Sequence, residues 1–188
     1  MKKVIFILLL GVISIPVFSQ KGNLTVGLKG GYVYSPNYYN GILYGIDAAY
    51  HLSDPFEVVF TGLINPNTPY KFKDRNTDVK QNLSVYSANL DFRLYLFHKR
   101  EWAMGPALGG QYYITVNKDD NLGTQKALGF NLGWHVRANI TDNLKINGGW
   151  RYTNAKTKDK TKWYIPDAPP VDMSYNLFYV GIGYTFEL

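Results

Sequence analysis

The sequence predicts an all-β fold, an eight-stranded antiparallel up-and-down transmembrane β-barrel, for three reasons. Beyond the N-terminus, large apolar residues alternate with small or polar ones at a period of two, which is the period of a β-strand. The connections between the alternating segments are short and long in turn, as in a meander. The 188-residue chain also contains 16 Tyr, 10 Phe and 4 Trp beside 18 Gly, and no Cys. Packing and hydrogen bonds, and not disulfides, must therefore hold this fold together.

The N-terminal stretch MKKVIFILLLGVISIPVFSQ has the layout of an export signal. Lys2 and Lys3 precede an apolar run over residues 4–17, and Val17 and Ser19 suit a cleavage site. The run is shorter than the roughly 20 apolar residues that a spanning helix needs. We therefore expect residues 1–19 to form a cleaved signal peptide and residues 20–188 to form one barrel domain. Cleavage lowers the formal net charge from +6 to +4, a mild excess that suits anionic lipid head groups and does not indicate nucleic acid.

Eight segments carry the alternation, and each is supported by its own large apolar residues. The predicted strands cover residues 23–35, 41–52, 56–65, 82–97, 102–116, 126–140, 144–153 and 174–188. In that order, the residues that mark them are Leu24, Val26 and Leu28; Ile42, Tyr44 and Ile46; Val58 and Phe60; Leu90 and Phe92; Leu108 and Tyr112; Leu132 and Trp134; Leu144, Ile146 and Trp150; and Phe178, Val180 and Ile182. The turns after the second, fourth and sixth segments are short, which predicts periplasmic turns at one end and longer extracellular loops at the other.

Side-chain volume decides which parity faces outward. A soluble, lipocalin-like barrel would enclose the bulky set, but the interior of an eight-stranded barrel is only just wide enough for side chains. The glycine-and-polar parity fits that interior, so the bulky parity requires lipid. Aromatic residues near the segment ends, among them Tyr32, Tyr44, Trp102 and Trp150, match the aromatic girdles of membrane barrels.

Five stretches, taken in order, resemble a known family over the whole mature chain: LTVGLKGGYVYS, GIDAAYHLSDPFEV, EWAMGPALGG, LKINGGWRYTNA and YVGIGYTFEL. They are similar to outer-membrane β-barrel proteins of the OmpA-like and PorT-like porin-family class. The chain departs from that family at its end, where Glu187 and Leu188 follow Phe186 in place of a terminal aromatic residue. The resemblance implies a location in the outer membrane of a Gram-negative cell, in contact with outer-membrane lipid and lipopolysaccharide.

The inward parity carries charges that we expect to form a network in the lumen, because an unpaired buried charge costs several kcal/mol. The turn lengths place Lys29 opposite Asp47, place His51 opposite Glu57, and bring Glu57 near Arg93 or Asp91. A side-chain plug and an ion path are both compatible with this pattern, and the narrow lumen favours the plug. The predicted network comprises Lys29, Asp47, His51, Glu57, Asp91, Arg93, His135, Arg137, Lys145, Arg151 and Glu187.

The two longest predicted loops contain a basic and aromatic patch. Such a patch suits the phosphates of lipopolysaccharide or an acidic extracellular or envelope protein, although ordinary solvated charge would look the same. Its residues are Lys71, Lys73, Arg75, Lys156, Lys158, Lys160, Lys162, Trp163 and Tyr164.

The pattern favours a structural or surface-interaction role for a monomeric barrel with a filled lumen. A narrow channel for ions or small solutes is the second possibility, and an outer-membrane lipid-modifying enzyme or protease is the third. The three histidines, His51, His98 and His135, are not spaced as parts of a catalytic triad. Asp119 and Asp120 do not match a calcium loop, so no catalytic residue, metal site or cofactor is predicted.

Overall fold

A computed structural model of the chain describes residues 22–35, 40–53, 55–74, 77–117, 124–157 and 174–187, with side chains except at 67–83, 117, 124, 125 and 157. Over these residues it contains no helix long and apolar enough to cross a membrane. The described strands are β1 (Asn23–Tyr34), β2 (Asn40–Ser53), β3 (Phe56–Asp74), β4 (Thr77–Leu94), β5 (Phe97–His98), β6 (Trp102–Asn117), β7 (Thr124–Asn139), β8 (Leu144–Thr157) and β9 (Tyr175–Glu187).

Eight long antiparallel strands form a closed barrel. Neighbours in sequence pair with one another, and β1 pairs with β9 through partners such as Lys29 and Gly181. Direct pairing of β4 with β6 continues the wall past β5, a two-residue strand that pairs only with the start of β6. Closure pairs the backbone of every long strand on both sides, which is what a sheet needs to cross hydrocarbon. The predicted eight-stranded up-and-down barrel is therefore confirmed.

The two parities of each strand lie on opposite faces, with the bulky one outside. Leu28 and Ile42 are each 65 % exposed, whereas their neighbours Lys29 and Leu43 are 6 % and 0 % exposed. Large apolar residues cover the outer face on all eight long strands. A continuous apolar band of this kind is stable only against lipid, so the outer face is the membrane-facing surface.

Inward glycines allow the strands to approach closely. A Cβ added at Gly45 would collide with the backbone carbonyl oxygen of Gly62 on β3, and one at Gly105 would collide with that of Leu94 on β4. Any other residue at these two positions would force the wall apart. The narrow interior thus explains why so many inward positions are glycine. It has room only for the side chains at the remaining inward positions.

The structure corrects one loop prediction. The stretch NPNTPYKFKDRNTDVKQ is expected to be a loop, but β3 and β4 continue through most of it and pair as far as Asp74 and Thr77. The register shifts between Asn65 and Thr68, and Pro66 lies within that irregularity, where a residue without an N–H group is tolerated. The proline and charged residues suggested a loop, whereas the bulge accommodates the proline and lets the strands continue.

Candidate functional site in the barrel lumen

The barrel has a turn side, where the short connections after β2, β4 and β7 lie, and a loop side at the opposite end. In the turn-side half of the lumen, several side chains contact the carboxylate of Glu57. Arg93 Nη1 donates to its Oε2 over 2.8 Å and Tyr95 Oη donates to the same atom over 2.9 Å. His51 Nε2 lies 3.2 Å from Oε1, and Arg137 Nη1 lies 3.5 Å from it. One buried carboxylate therefore connects side chains from β2, β3, β4 and β7.

His135 extends this cluster toward the middle of the barrel. Its Nε2 lies 3.2 Å from Arg93 Nη1, and its Nδ1 lies 3.0 Å from Tyr179 Oη. Because a guanidinium only donates hydrogen bonds, Nε2 accepts and the Nδ1–H donates to Tyr179. The guanidinium of Arg137 also stacks 4.6 Å from the ring centroid of Tyr95. The cluster is thus both hydrogen-bonded and packed.

Two matched ion pairs lie in the middle layer. Lys29 Nζ lies 2.9 Å from Asp47 Oδ2 and 4.8 Å from the ring centroid of Tyr179. Arg151 Nη1 lies 3.2 Å from Asp91 Oδ2, whose other oxygen accepts a hydrogen bond from Asn131 Nδ2 over 3.0 Å. Charges in this layer are compensated within the protein.

The loop-side half of the lumen contains a buried apolar cluster, which the sequence patterns did not predict. Nine inward side chains form one buried cluster, with Tyr179 packed against it: Val33, Leu43, Leu63, Val85, Tyr113, Ala127, Ala155, Tyr175 and Leu177. Each comes from the loop-side half of the barrel wall, and Leu63 and Val85 lie in the middle of β3 and β4 because that hairpin is longer than the others. The available signal was that glycine and charge give way to larger residues in that half, as with Leu63 and Tyr113. The polar layers and the apolar cluster thus succeed one another along the described part of the lumen.

Registers explain which predicted pairs meet. The turn at Pro55 places His51 directly opposite Glu57, and Glu57 lies directly opposite Arg93. In the first hairpin, Asp47 lies opposite Gly27 and Lys29 lies opposite Gly45, so the predicted register is wrong by two residues. A shift of two keeps both side chains on the inner face, and they meet diagonally.

Glu187 does not join the lumen network, so its predicted place there is wrong. It is the last residue of β9, pairs with Asn23 at the turn-side rim, and has an exposed side chain. Parity alone suggested an inward position, but the side chain lies beyond the point where the wall encloses the lumen. The enclosed network has five cationic side chains and three carboxylates: Lys29, Arg93, Arg137, Lys145 and Arg151 against Asp47, Glu57 and Asp91.

Thr25, His51 and Glu57 are the described residues closest to a hydrolytic triad in composition. Thr25 Oγ1 lies 3.2 Å from His51 Nε2, but Glu57 also contacts that same nitrogen, and Nδ1 faces Arg137 at 3.3 Å. A triad requires the nucleophile and the carboxylate on different ring nitrogens. The arrangement therefore fits a structural hydrogen-bond cluster. The described residues also contain no group of three or more His, Asp or Glu side chains placed to hold a metal ion.

The predicted basic patch is only partly within the described structure. Lys71 and Lys73 have backbone positions in β3, and Lys156 is exposed on β8. The remaining members lie outside the described residues: Arg75, Lys158, Lys160, Lys162, Trp163 and Tyr164. Binding by this patch stays a prediction.

Known proteins share the fold. The chain is similar to Neisserial surface protein A (TM-score 0.59, 13% identity, 89% of this chain and 98% of that one). It is also similar to the outer membrane protein OprG from Pseudomonas aeruginosa (TM-score 0.58, 14% identity, 90% and 98%) and to a major outer membrane protein from Thermus thermophilus (TM-score 0.55, 13% identity, 87% and 99%). Identities this low indicate a shared fold only. No curated protein matches the chain in sequence.

The family assignment comes from a match over nearly the whole chain. Residues 5–186 match the model of the outer membrane protein beta-barrel domain, in agreement with the lipid-facing outer surface and polar inner surface. The chain therefore belongs to the outer membrane β-barrel protein family and lies in the outer membrane of a Gram-negative cell.

Proposed function

We propose that this protein is a non-enzymatic, monomeric structural or surface-interaction barrel whose filled lumen does not conduct. The observation that supports the proposal is the succession of two buried side-chain layers along the barrel axis. The Glu57 cluster and the ion pairs lie in the turn-side half, and the apolar cluster around Leu43, Leu63 and Leu177 lies in the loop-side half.

The apolar layer is the stronger barrier to ions. Its members are at most 3 % exposed, so an ion crossing it would exchange hydration mainly for apolar side chains, with only neutral groups such as those of Ser87 and Thr115 beside them. In the charged layer, an ion would have to displace side chains from buried salt bridges, which are strongly destabilised when one partner is lost. Both costs support a lumen that stabilises the barrel and transports nothing.

The β3–β4 hairpin supports a surface role at the loop end. Pairing of β3 with β2 ends at Ile64, and pairing of β4 with β6 ends at Leu83. The hairpin itself continues to Asp74 and Thr77, so it projects past both neighbouring strands as a two-stranded ribbon. Lys71, Lys73 and Lys80 outnumber Asp74 and Asp78 in this ribbon, and these lysines suit contact with lipopolysaccharide phosphates or an acidic envelope or extracellular protein.

Conductance in planar lipid bilayers tests the filled-lumen proposal. We expect the refolded native chain to insert without discrete openings, and a Leu43→Gly, Leu63→Gly, Leu177→Gly variant to show openings because it removes the apolar layer. Openings from this variant would show that the refolded barrel inserts into the bilayer, so that silence of the native chain reflects a filled lumen. Steady openings from the native chain would contradict the proposal and favour a narrow channel.

A further inference from the structure

The turn-side mouth of the lumen carries more positive charge than its protein partners compensate. Arg93 and Arg137 both contact one enclosed carboxylate, that of Glu57, and the third cation of this layer, Lys145, forms no ion pair with a described residue. Deeper in the barrel, the remaining two cations are each matched by an aspartate. The surplus is therefore confined to one layer at one end of the lumen.

Lys145 is the cation of this layer that has no acidic partner among the described residues. It is the second residue of β8 and only 8 % exposed, and no hydrogen bond or ion pair links it to any other residue in the described ranges. Its register partner on β7 is Asn139, which places Arg137, two residues along β7, diagonally adjacent on the same inner face. Arg137 Nε is itself buried and makes no hydrogen bond with the described residues. Two cationic donors thus lie diagonally on one inner face without a bonded acceptor, and the amide oxygens of Asn139 and Asn147 beside them are also buried and make no hydrogen bond with the described residues.

The charged side chains at this mouth are more exposed to solvent than the charged layer behind them. The side chains of His51 and Arg137 are each 16 % exposed, whereas that of Arg93, the next charged layer inward, is 4 % exposed. Thr185 and Thr25 border the same mouth and are hydrogen-bonded to each other over 2.8 Å. The mouth is partly accessible, and the charged side chains behind it are almost completely buried.

We propose that the turn-side mouth binds one small oxyanion, a phosphate or a carboxylate, between Lys145 Nζ and Arg137 Nε. A buried cation without a counter-charge costs several kcal/mol, and an anion of this class removes that cost. Guanidinium and ammonium donors form short, charge-assisted hydrogen bonds with oxyanions. The buried layers behind the mouth hold the anion at the periplasmic end, so this binding does not depend on the extracellular hairpin or on any loop partner.

Calorimetric titration of the refolded full chain in a zwitterionic detergent at neutral pH tests the site. Inorganic phosphate and acetate are the probes, chloride is the comparison, and a bulky sulfonate salt keeps the ionic strength constant. We expect one saturable phosphate site, weakened about tenfold or more by Lys145→Met because a charge-assisted hydrogen bond is lost. Lys145→Arg keeps the charge and should retain binding, and Lys99→Met, at an exposed lysine on the turn-side rim, should not change it.

Acetate separates the two sources of the ligand. If acetate binds as tightly as phosphate, the site accepts carboxylates as well as phosphates. If acetate does not bind, the site is specific for phosphate. Both results support the proposed site. Phosphate should also raise the thermal unfolding midpoint of the native chain but not that of Lys145→Met, which checks binding in folded protein. The proposal is overturned by the absence of saturable binding, by unchanged binding in Lys145→Met, or by chloride that binds as tightly as phosphate.

Discussion

Arg93 and Glu57 lie directly opposite each other on β4 and β3, and Arg93 Nη1 donates to Glu57 Oε2 over 2.8 Å inside the closed barrel. Both side chains are almost completely buried. Glu57 is also the only carboxylate among the described residues that faces Arg137 within 4 Å. The energetics of the turn-side half of the lumen therefore depend on this one acidic side chain.

Glu57→Gln should destabilise the barrel by about 3–5 kcal/mol, because it leaves the buried Arg93 and Arg137 without a counter-charge. Urea unfolding of the refolded barrel in lipid vesicles, followed by gel mobility of unheated samples, measures the change. Glu101→Gln, at an exposed turn residue, is the matched control and should change stability by less than about 0.5 kcal/mol. A Glu57→Gln barrel as stable as the control would show that the cluster contributes little.

Exchange of the charges at positions 29 and 47 tests the diagonal pair. Lys29→Asp places two carboxylates on the same inner face and should strongly destabilise the barrel, whereas Lys29→Asp with Asp47→Lys should recover part of the loss. The recovery should be incomplete because Lys29 also lies over the Tyr179 ring and contacts Thr61. We expect a coupling free energy of about 0.5–3 kcal/mol in the double-mutant cycle. A double variant no more stable than Lys29→Asp would contradict the observed contact.

Gly45 and Gly62 form a matched pair for a test of strand spacing. Gly45→Ala should prevent a stable barrel, because the new Cβ would collide with the backbone carbonyl of Gly62. Gly62→Ala should fold normally, since a Cβ there has open space within 4 Å. The fraction of each variant that keeps the folded, heat-modifiable gel mobility after refolding is the readout. Equal folded fractions for the two variants would show that the strands can move apart at Gly45 to accommodate the added methyl group.

The projecting β3–β4 hairpin provides a test of the surface role. Lys71→Glu with Lys73→Glu should weaken binding of lipopolysaccharide to the solubilised barrel, and the difference from native should shrink at high salt because exposed charges are screened. Fluorescence titration at two salt concentrations measures both effects. Lys99→Glu with Arg100→Glu reverses two exposed charges at the opposite rim and should leave binding unchanged. If the rim variant loses as much affinity as the hairpin variant, attraction depends on net charge and not on the hairpin.

The alternation of residues was enough to predict the barrel and its orientation, because parity and side-chain volume are local properties. Asn89 and Asp91 could be placed inside from the segment alone. Strand register and depth along the barrel could not be predicted in this way. The offset between Lys29 and Asp47 depends on how β1 and β2 pair, and the exposure of Glu187 depends on where the barrel wall ends. Those properties come from the pairing of strands distant in sequence, and a single strand pattern does not contain them.

The β3–β4 hairpin shows a second limit. Pro66, Pro69 and the surrounding charges suggest a loop, since proline weakens strand pairing. Tyr70, Phe72 and Val79 are residue types that favour strands, and the irregularity between Asn65 and Thr68 accommodates Pro66. A bulge changes the count of paired residues, so its position becomes evident only when both strands are seen together.

The central claim, that the bulky parity faces lipid and the polar parity faces a filled lumen, is tested most directly by spin labels on β4. The chain has no Cys, so single cysteines at positions 86–92 can each carry one label in the barrel reconstituted in vesicles. We predict that oxygen, which concentrates in hydrocarbon, relaxes labels at Tyr86, Ala88, Leu90 and Phe92 strongly and those at Ser87, Asn89 and Asp91 weakly. An oxygen profile of the opposite phase, or one without a period of two, would contradict the account.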